Sequence, residues 1–284
     1  MQSIKEKYVL GLSEEGFHRI SYREWGSRGE KPTVICVHGV TRLAHDFDVL
    51  AEALSKDYHV VCPDIAGRGN SDWFHNHKHY NFTQYCADIN ALIARLDVEK
   101  VHYIGTSMGG IIGMILAGLP NGPIASLVVN DIGPEQKMSE IRRLGNYMGL
   151  APEFGDMDEV TEYMRTTYSA FGNLSDQQWK QMGHNSARKH NDGYKMHYDP
   201  RIGKAFRSSY YFYTFTLWHY WDKIACPTLA LRGELSTFLS AETAEKMTQR
   251  GPKCKVVEIK EAGHAPALQS PYEVKVIMDF ISSV

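Results

Sequence analysis

The stretch Lys100-Val101-His102-Tyr103-Ile104-Gly105-Thr106-Ser107-Met108-Gly109-Gly110-Ile111-Ile112-Gly113-Met114-Ile115-Leu116-Ala117 changes character at its centre. Its first part is β-branched and apolar, its last part carries helical periodicity, and Gly-x-Ser-x-Gly stands between. A strand that turns into a helix over that pentapeptide makes a nucleophile elbow. The flanking glycines let the backbone bend so sharply that the serine hydroxyl projects alone from the sheet edge. Ser107 is thereby a candidate to attack a carbonyl carbon.

Working outward, two further segments supply partners. Val34-Ile35-Cys36-Val37-His38-Gly39-Val40 reads as a buried strand ending in a His-Gly turn, a place for a backbone oxyanion donor. Ala262-Gly263-His264-Ala265-Pro266 follows the strand-like Lys255-Val256-Val257-Glu258-Ile259 and brings a loop histidine. A neutral imidazole within reach of Ser107 can take its proton at neutral pH, which makes His264 the candidate base.

Five motifs occur in one order: His38-Gly39, Pro63-Asp64-Ile65-Ala66-Gly67-Arg68-Gly69-Asn70-Ser71, Gly105 to Gly110, Pro227-Thr228-Leu229-Ala230-Leu231-Arg232-Gly233, and Gly263-His264. On these the chain resembles a serine member of the α/β-hydrolase fold family over nearly its whole length. The resemblance implies a mostly parallel eight-stranded sheet flanked by helices, with a cap inserted after the sixth strand. It also implies backbone amides of Val40 and Met108 as oxyanion donors, each worth roughly 2.7–4 kcal/mol in such sites. His38 is expected to hold the oxyanion turn. An aspartate nucleophile, as in related dehalogenases and epoxide hydrolases, is replaced here by serine.

The acid that would orient His264 is open at this level. Similar sequences carry it just after the strand ending Leu231-Arg232-Gly233, but here the text is Glu234-Leu235-Ser236-Thr237-Phe238, without an aspartate. Some family members place it at the end of the strand after the elbow helix, where Asp131 stands, 24 residues beyond Ser107. Asp131 is the favoured candidate and Glu234 the alternative; a weakened or absent acid would leave the oxyanion donors and binding in place but deprive His264 of tautomer control, which admits a binder on the same fold.

Strand patterns are expected at 33–38, 58–63, 100–106, 125–131, 228–233 and 254–260, after early antiparallel strands around Phe17 to Trp25. Helical periodicity marks 46–54, 83–96, 107–119, 241–250 and 271–282. The alternation stops after Asn130-Asp131-Ile132-Gly133-Pro134 and resumes near Cys226, an interval too long for a loop. Residues 1–133 and 223–284 are therefore assigned to a core and 134–222 to a helical cap, with helices at 138–147, 157–168, 176–186 and 203–221. The cap's aromatic tract (Tyr210, Tyr211, Phe212, Tyr213, Phe215, Leu217, Trp218, Tyr220 and Trp221) is expected to dock it onto the core and to contribute rings to a pocket.

Composition narrows the function. With 284 residues, 43% hydrophobic, a sizeable core is available. A net charge of −2 lends no support to nucleic-acid or membrane-surface binding, and the substrate is expected to be a small molecule. Arg42, beside the oxyanion turn, can either hold a substrate carboxylate or pair with Asp46 or Asp48. Seven basic residues against two acidic ones over 177–210 favour an anionic substrate. Asp64 to Asp72 lacks the Gly-Lys-Ser/Thr of a phosphate loop and reads as a structural turn; His75, His77 and His79 read as solvated loop residues. Five widely spaced cysteines without a Cys-x-x-Cys pair, no apolar leader and no membrane-length run fit a cytoplasmic protein with reduced thiols.

The expected activity is hydrolysis of a small carboxylic ester, carboxylesterase-like, through an acyl-Ser107. Cleavage of a C–C bond or a lactone in a small anionic substrate is the alternative within the same machinery, and a non-catalytic small-molecule binder the alternative outside it. Neither metal nor organic cofactor is needed for this chemistry. The chain is expected to be a monomer or homodimer.

Overall fold

Alternate residues of the central strands bury to opposite sides: Ile35, Val37 and Val61 into one apolar cluster, Val34, Cys36, Val60 and Cys62 into another. This period-two pattern with both faces apolar is what a sheet covered by helices on both sides demands. The computed structural model describes residues 4–208 and 216–284, and Tyr210 to Tyr213 and Phe215 of the aromatic tract lie outside the described residues.

In chain order the elements are β1 (Lys5–Ser13), β2 (Gly16–Trp25), β3 (Thr33–Val37), α1 (Asp48–Leu54), β4 (His59–Pro63), α2 (Phe82–Leu96), β5 (Val101–Thr106), α3 (Met108–Gly118) and β6 (Ile124–Asn130). There follow α4 (Met138–Tyr147), β7 (Glu153–Phe154), α5 (Met157–Thr167), α6 (Asp176–Ser186), β8 (Ala187–His190), β9 (Gly193–Met196), α7 (Arg201–Ser208) and α8 (Trp218–Trp221). The chain closes with β10 (Thr228–Gly233), α9 (Ala241–Gln249), β11 (Lys255–Ile259) and α10 (Pro271–Ser282).

The main sheet has eight strands in the order β1-β2-β4-β3-β5-β6-β10-β11. Only the pairings β1–β2 and β2–β4 are antiparallel. Chain order reverses between β3 and β5, the place where open α/β sheets leave a crevice beyond the strands' carboxyl ends. Register aligns those ends: Val37 lies opposite Gly105, Thr106 opposite Asn130, Asn130 opposite Leu231, and Gly233 opposite Ile259. Every candidate site residue follows one of these ends.

Local chemistry fixes the helix starts. Ser270 and Glu273 form a reciprocal capping box with Pro271 in the first turn of α10, and Ser175 and Gln178 do the same for α6. The segment between β6 and β10 is mainly helical, yet it also folds β7-β9-β8 into a three-stranded antiparallel sheet where the sequence suggested none. Its strands are short and polar, so they lack the apolar alternation that periodicity detects. The Asn191-Asp192-Gly193 turn was the available signal. Leu217 and Trp221 are buried, and Trp218 Nε1 donates to Glu135 at 3.1 Å.

Candidate active site

The elbow is strained by construction. Ser107 has φ +51° and ψ −112°, outside the regions ordinary side chains adopt. The bend brings the backbone so close that a Cβ on Gly105 would stand 2.4 Å from the Gly109 carbonyl, and one on Gly109 would stand 2.0 Å from the Val37 oxygen. Glycine is the residue that fits at either position.

Opposite Ser107 stands His264, with Nε2 2.9 Å from Ser107 Oγ. The other ring nitrogen, Nδ1, is 2.8 Å from Asp131 Oδ2. Asp131 is fully buried and holds φ +54°, which turns its side chain back across the neighbouring strand end. Its Oδ1 accepts from the Gly233 amide at 2.8 Å and its Oδ2 from the Ser236 hydroxyl at 2.5 Å. Three donors converge on the carboxylate, so its acceptor-only ionised form suits the site and His264 donates through Nδ1–H. Ser107 then donates to the free lone pair on Nε2. The Phe238 ring stacks on the imidazole with centroids 4.0 Å apart. Asn130 Nδ2 bridges Thr106 Oγ1 and the Pro266 carbonyl, tying the histidine loop to the elbow strand.

Glu234 is elsewhere. It receives Lys260 Nζ at 3.2 Å and the Glu261 amide at 3.0 Å on the surface, and it makes no contact with His264. Of Ser236 and Thr237, the positions at which the resemblance implied an acid, Ser236 hydrogen-bonds to Asp131 and Thr237 to Glu140.

The His38-Gly39 turn lies against the elbow: a Cβ on Gly39 would be 3.8 Å from Ser107 Cβ. The amide of Met108 opens α3 and so has no helical acceptor, and the Val40 amide likewise donates to no group among the described residues. His38 is fully buried, donating from Nδ1 to the Gly39 carbonyl at 2.7 Å and accepting the Ile65 amide on Nε2 at 3.0 Å. Burial pushes its pKa from 6.5 down to about 3. Such a histidine is neutral when folded and protonates in the unfolded chain, so its contribution is complete above about pH 6.5 and is lost as pH falls towards 3. His197, lowered to about 4 by burial and then by Arg188, acts in the same direction. Unfolding free energy is thus expected to fall below pH 6.5 by up to about 1.4 kcal/mol per pH unit for each such group. Denaturant titrations at several pH values check this: His38→Gln should flatten the slope, and equal slopes in both proteins would remove the assignment.

Arg42 does not reach the pocket. It is 3% exposed, with Nε and Nη2 on the Asp46 carboxylate at 2.8 and 2.5 Å and Nη1 on Ser186 Oγ at 3.0 Å. Its guanidinium lies 4.8 Å from the Tyr168 ring centroid. With Thr41 Oγ1 and Tyr168 Oη 2.8 Å apart, it docks α5 and α6 onto the oxyanion turn rather than holding a ligand.

A cavity of about 560 Å³ opens beside Ser107, within the usual range of roughly 300–1,000 Å³ for small-molecule sites. Val40, Met108 and Phe238 line it from the sheet side; Met138, Leu144 and Ile202 line it from the inserted segment. None of the seven basic residues of 177–210 lines it: Arg188 stacks on Trp73, Arg201 pairs with Asp199, and Arg207 donates to two backbone carbonyls. The cations of the wall are Arg68 and Lys78, with His77 beside them.

Arg68 comes from the loop read as a purely structural turn. That loop is indeed held by Asp64, which accepts the Ala44 and Asn70 amides. Fully buried, Arg68 donates from Nε to the Val40 carbonyl at 2.8 Å, from Nη1 to Ala66 O and Tyr85 Oη, and from Nη2 towards Met108 Sδ. It therefore touches both Val40 and Met108.

Comparison with known proteins accords with this geometry. A family model described as alpha/beta hydrolase fold matches residues 32–271. The chain is 39% identical to a 3-hydroxybutyrate-oligomer hydrolase of Cupriavidus necator, with 97% of each chain covered. It is 23% identical to a monoacylglycerol lipase of Xenopus laevis, over 96% of this chain and 82% of the lipase. A solved alpha/beta hydrolase from Novosphingobium aromaticivorans superposes with TM-score 0.90 at 31% identity over the full length of both chains. The chain belongs to the α/β-hydrolase fold family, and its relatives are hydrolases.

Among the described residues no helix is long and apolar enough to cross a membrane, and no three metal-binding side chains cluster. All five cysteines are free.

Proposed function

We propose that this protein is a serine hydrolase of small carboxylic esters, and specifically of short esters of hydroxy acids. The observation that carries the reading is the unbroken hydrogen-bonded line from Ser107 through His264 to Asp131, opening on a largely apolar cavity. The relative from Cupriavidus necator is named for hydrolysis of 3-hydroxybutyrate oligomers, and this supports the substrate class.

Ser107 Oγ attacks the ester carbonyl as its proton passes to His264 Nε2. The carbonyl oxygen, now negative, faces the amides of Met108 and Val40, which stabilise charge that the ground state lacks. Collapse breaks the bond to the alcohol oxygen, which leaves with the proton from His264. Water then gives a proton to His264 and attacks the acyl-Ser107, and return of that proton to Ser107 releases the acid. Asp131 keeps Nδ1–H in place throughout and stabilises the transient imidazolium.

Arg68 anchors the Val40 carbonyl, so Arg68→Met is expected to lower kcat about tenfold with little change in KM, since a loosened oxyanion donor costs less than an absent one. Arg68→Lys should restore part of the loss. An unchanged kcat in Arg68→Met would separate this arginine from the turn it contacts. The presence of Arg68 and Lys78 in the wall favours, as the second reading, C–C or lactone hydrolysis of an anionic substrate. A cytoplasmic location agrees with the unpaired thiols.

The deciding assay measures release of acid from short p-nitrophenyl esters, a 3-hydroxybutyrate dimer, lactones and diketo acids. Turnover of the esters supports the first reading; turnover confined to diketo acids supports the second. A folded protein that binds these compounds and turns over none would establish a binder.

A further inference from the structure

The cavity wall is apolar over most of its extent, but Gln136 interrupts it. This residue is 4% exposed, and its Nε2 donates to the Gly133 carbonyl at 2.9 Å. Its Oε1 is buried and has no hydrogen-bond partner among the described residues. Turning the amide over would set Oε1 against the Gly133 carbonyl oxygen, acceptor against acceptor, so the unpaired end is the acceptor. A buried carbonyl oxygen left without a donor is costly, and few such groups persist in folded proteins without a role. Gln136 shares this wall with Ile132 and with Phe238, whose ring lies on His264.

We infer that Gln136 is a specificity-determining residue whose Oε1, closed off from the cavity in this structure, turns into it to accept a hydrogen bond from a hydroxyl group of the substrate. Resting on the ester-hydrolase reading above, the inference adds a chemical requirement to it. A carboxylate, a carbonyl or an alkyl chain on the ligand has no proton to offer this oxygen. A hydroxylated substrate satisfies it. The hydroxyl belongs either to the acyl part or to the alcohol part of the ester, and the two are separable by choice of substrate.

The test compares ethyl 3-hydroxybutyrate, the monobutyrate ester of ethylene glycol, and ethyl butyrate, using wild type and Gln136→Met. Methionine keeps the length of the side chain and removes the acceptor. Wild type is expected to favour one hydroxylated ester over ethyl butyrate by about tenfold or more in kcat/KM, and the variant to lose that preference without losing turnover of ethyl butyrate. The favoured arm identifies the side that carries the hydroxyl. Equal kcat/KM for all three esters in wild type, or a preference that survives in Gln136→Met, overturns the inference. Where Gln136→Met folds poorly, Gln136→Leu, which also removes the acceptor, takes its place in the comparison.

Should wild type hydrolyse none of the three, the hydrolase reading fails first. Calorimetric binding of the same esters then judges Gln136 alone: tighter binding of a hydroxylated ester in wild type than in Gln136→Met upholds its role, and equal affinities refute it.

Discussion

Alanine at position 107 is expected to reduce ester turnover by roughly 10⁴- to 10⁶-fold, the scale on which loss of a serine nucleophile acts when its histidine and oxyanion donors remain. Fold and binding should survive. Alanine at φ +51° is no more strained than the serine it replaces, and Ser107 Oγ has His264 Nε2 as its partner. What disappears is the covalent route, leaving water to attack a carbonyl polarised by the Met108 and Val40 amides. Steady-state turnover of p-nitrophenyl butyrate gives the magnitude. Labelling by a fluorophosphonate, located by peptide mass, gives the site: wild type should carry the adduct on Ser107 and the variant none. A variant retaining a substantial fraction of wild-type kcat would place the nucleophile elsewhere.

The second large effect separates the two candidate acids. Asp131→Asn is expected to lower kcat by about 10⁴-fold, because an amide offers one acceptor oxygen where three donors now converge. With its NH₂ towards His264, it would favour the tautomer bearing hydrogen on Nε2, which cannot accept the Ser107 proton. With the amide reversed, NH₂ meets the Gly233 N–H. Glu234→Gln should leave turnover close to wild type, since that carboxylate serves Lys260 and the Glu261 amide at the surface. Parallel kcat measurements decide it, and the opposite ranking would make Glu234 the functional acid through a rearrangement of its loop.

The bend at Ser107, the His38-Gly39 turn and the His264 loop were legible because each is written locally. Ser107, Gly105 and Gly109 are within five residues of one another, and the change from strand to helix period surrounds them. Helices α4 and α6 match their expected spans of 138–147 and 176–186, since both carry clear amphipathic spacing. The acid was not decidable in the same way. Asp131 and Ser236 are far apart in the chain and adjacent only because β6 pairs with β10, which carries Ser236 to the carboxylate.

For Arg42 two readings stood open. Its i,i+4 partner Asp46 was visible in the sequence as the simpler account, but Tyr168 and Ser186, which complete its burial, come from the end of α5 and from α6 respectively. The positive excess of 177–210 stays out of the cavity wall for the same reason. Charge counted along a chain says nothing about which side chains turn to a cavity and which bind backbone carbonyls, as Arg207 does.

By itself, then, the sequence determined the class of sheet, the serine and histidine set at its strand ends, and the existence of a long insertion. These depend on residue period, on glycine at crowded turns and on order along the chain. Tertiary structure alone decided which carboxylate meets His264, that Arg68 rather than Arg42 stands in the cavity wall, and that Gln136 holds an unpaired acceptor there. Each of these is a contact between residues that only sheet pairing and the docking of the insertion bring together, and no local pattern encodes such distances.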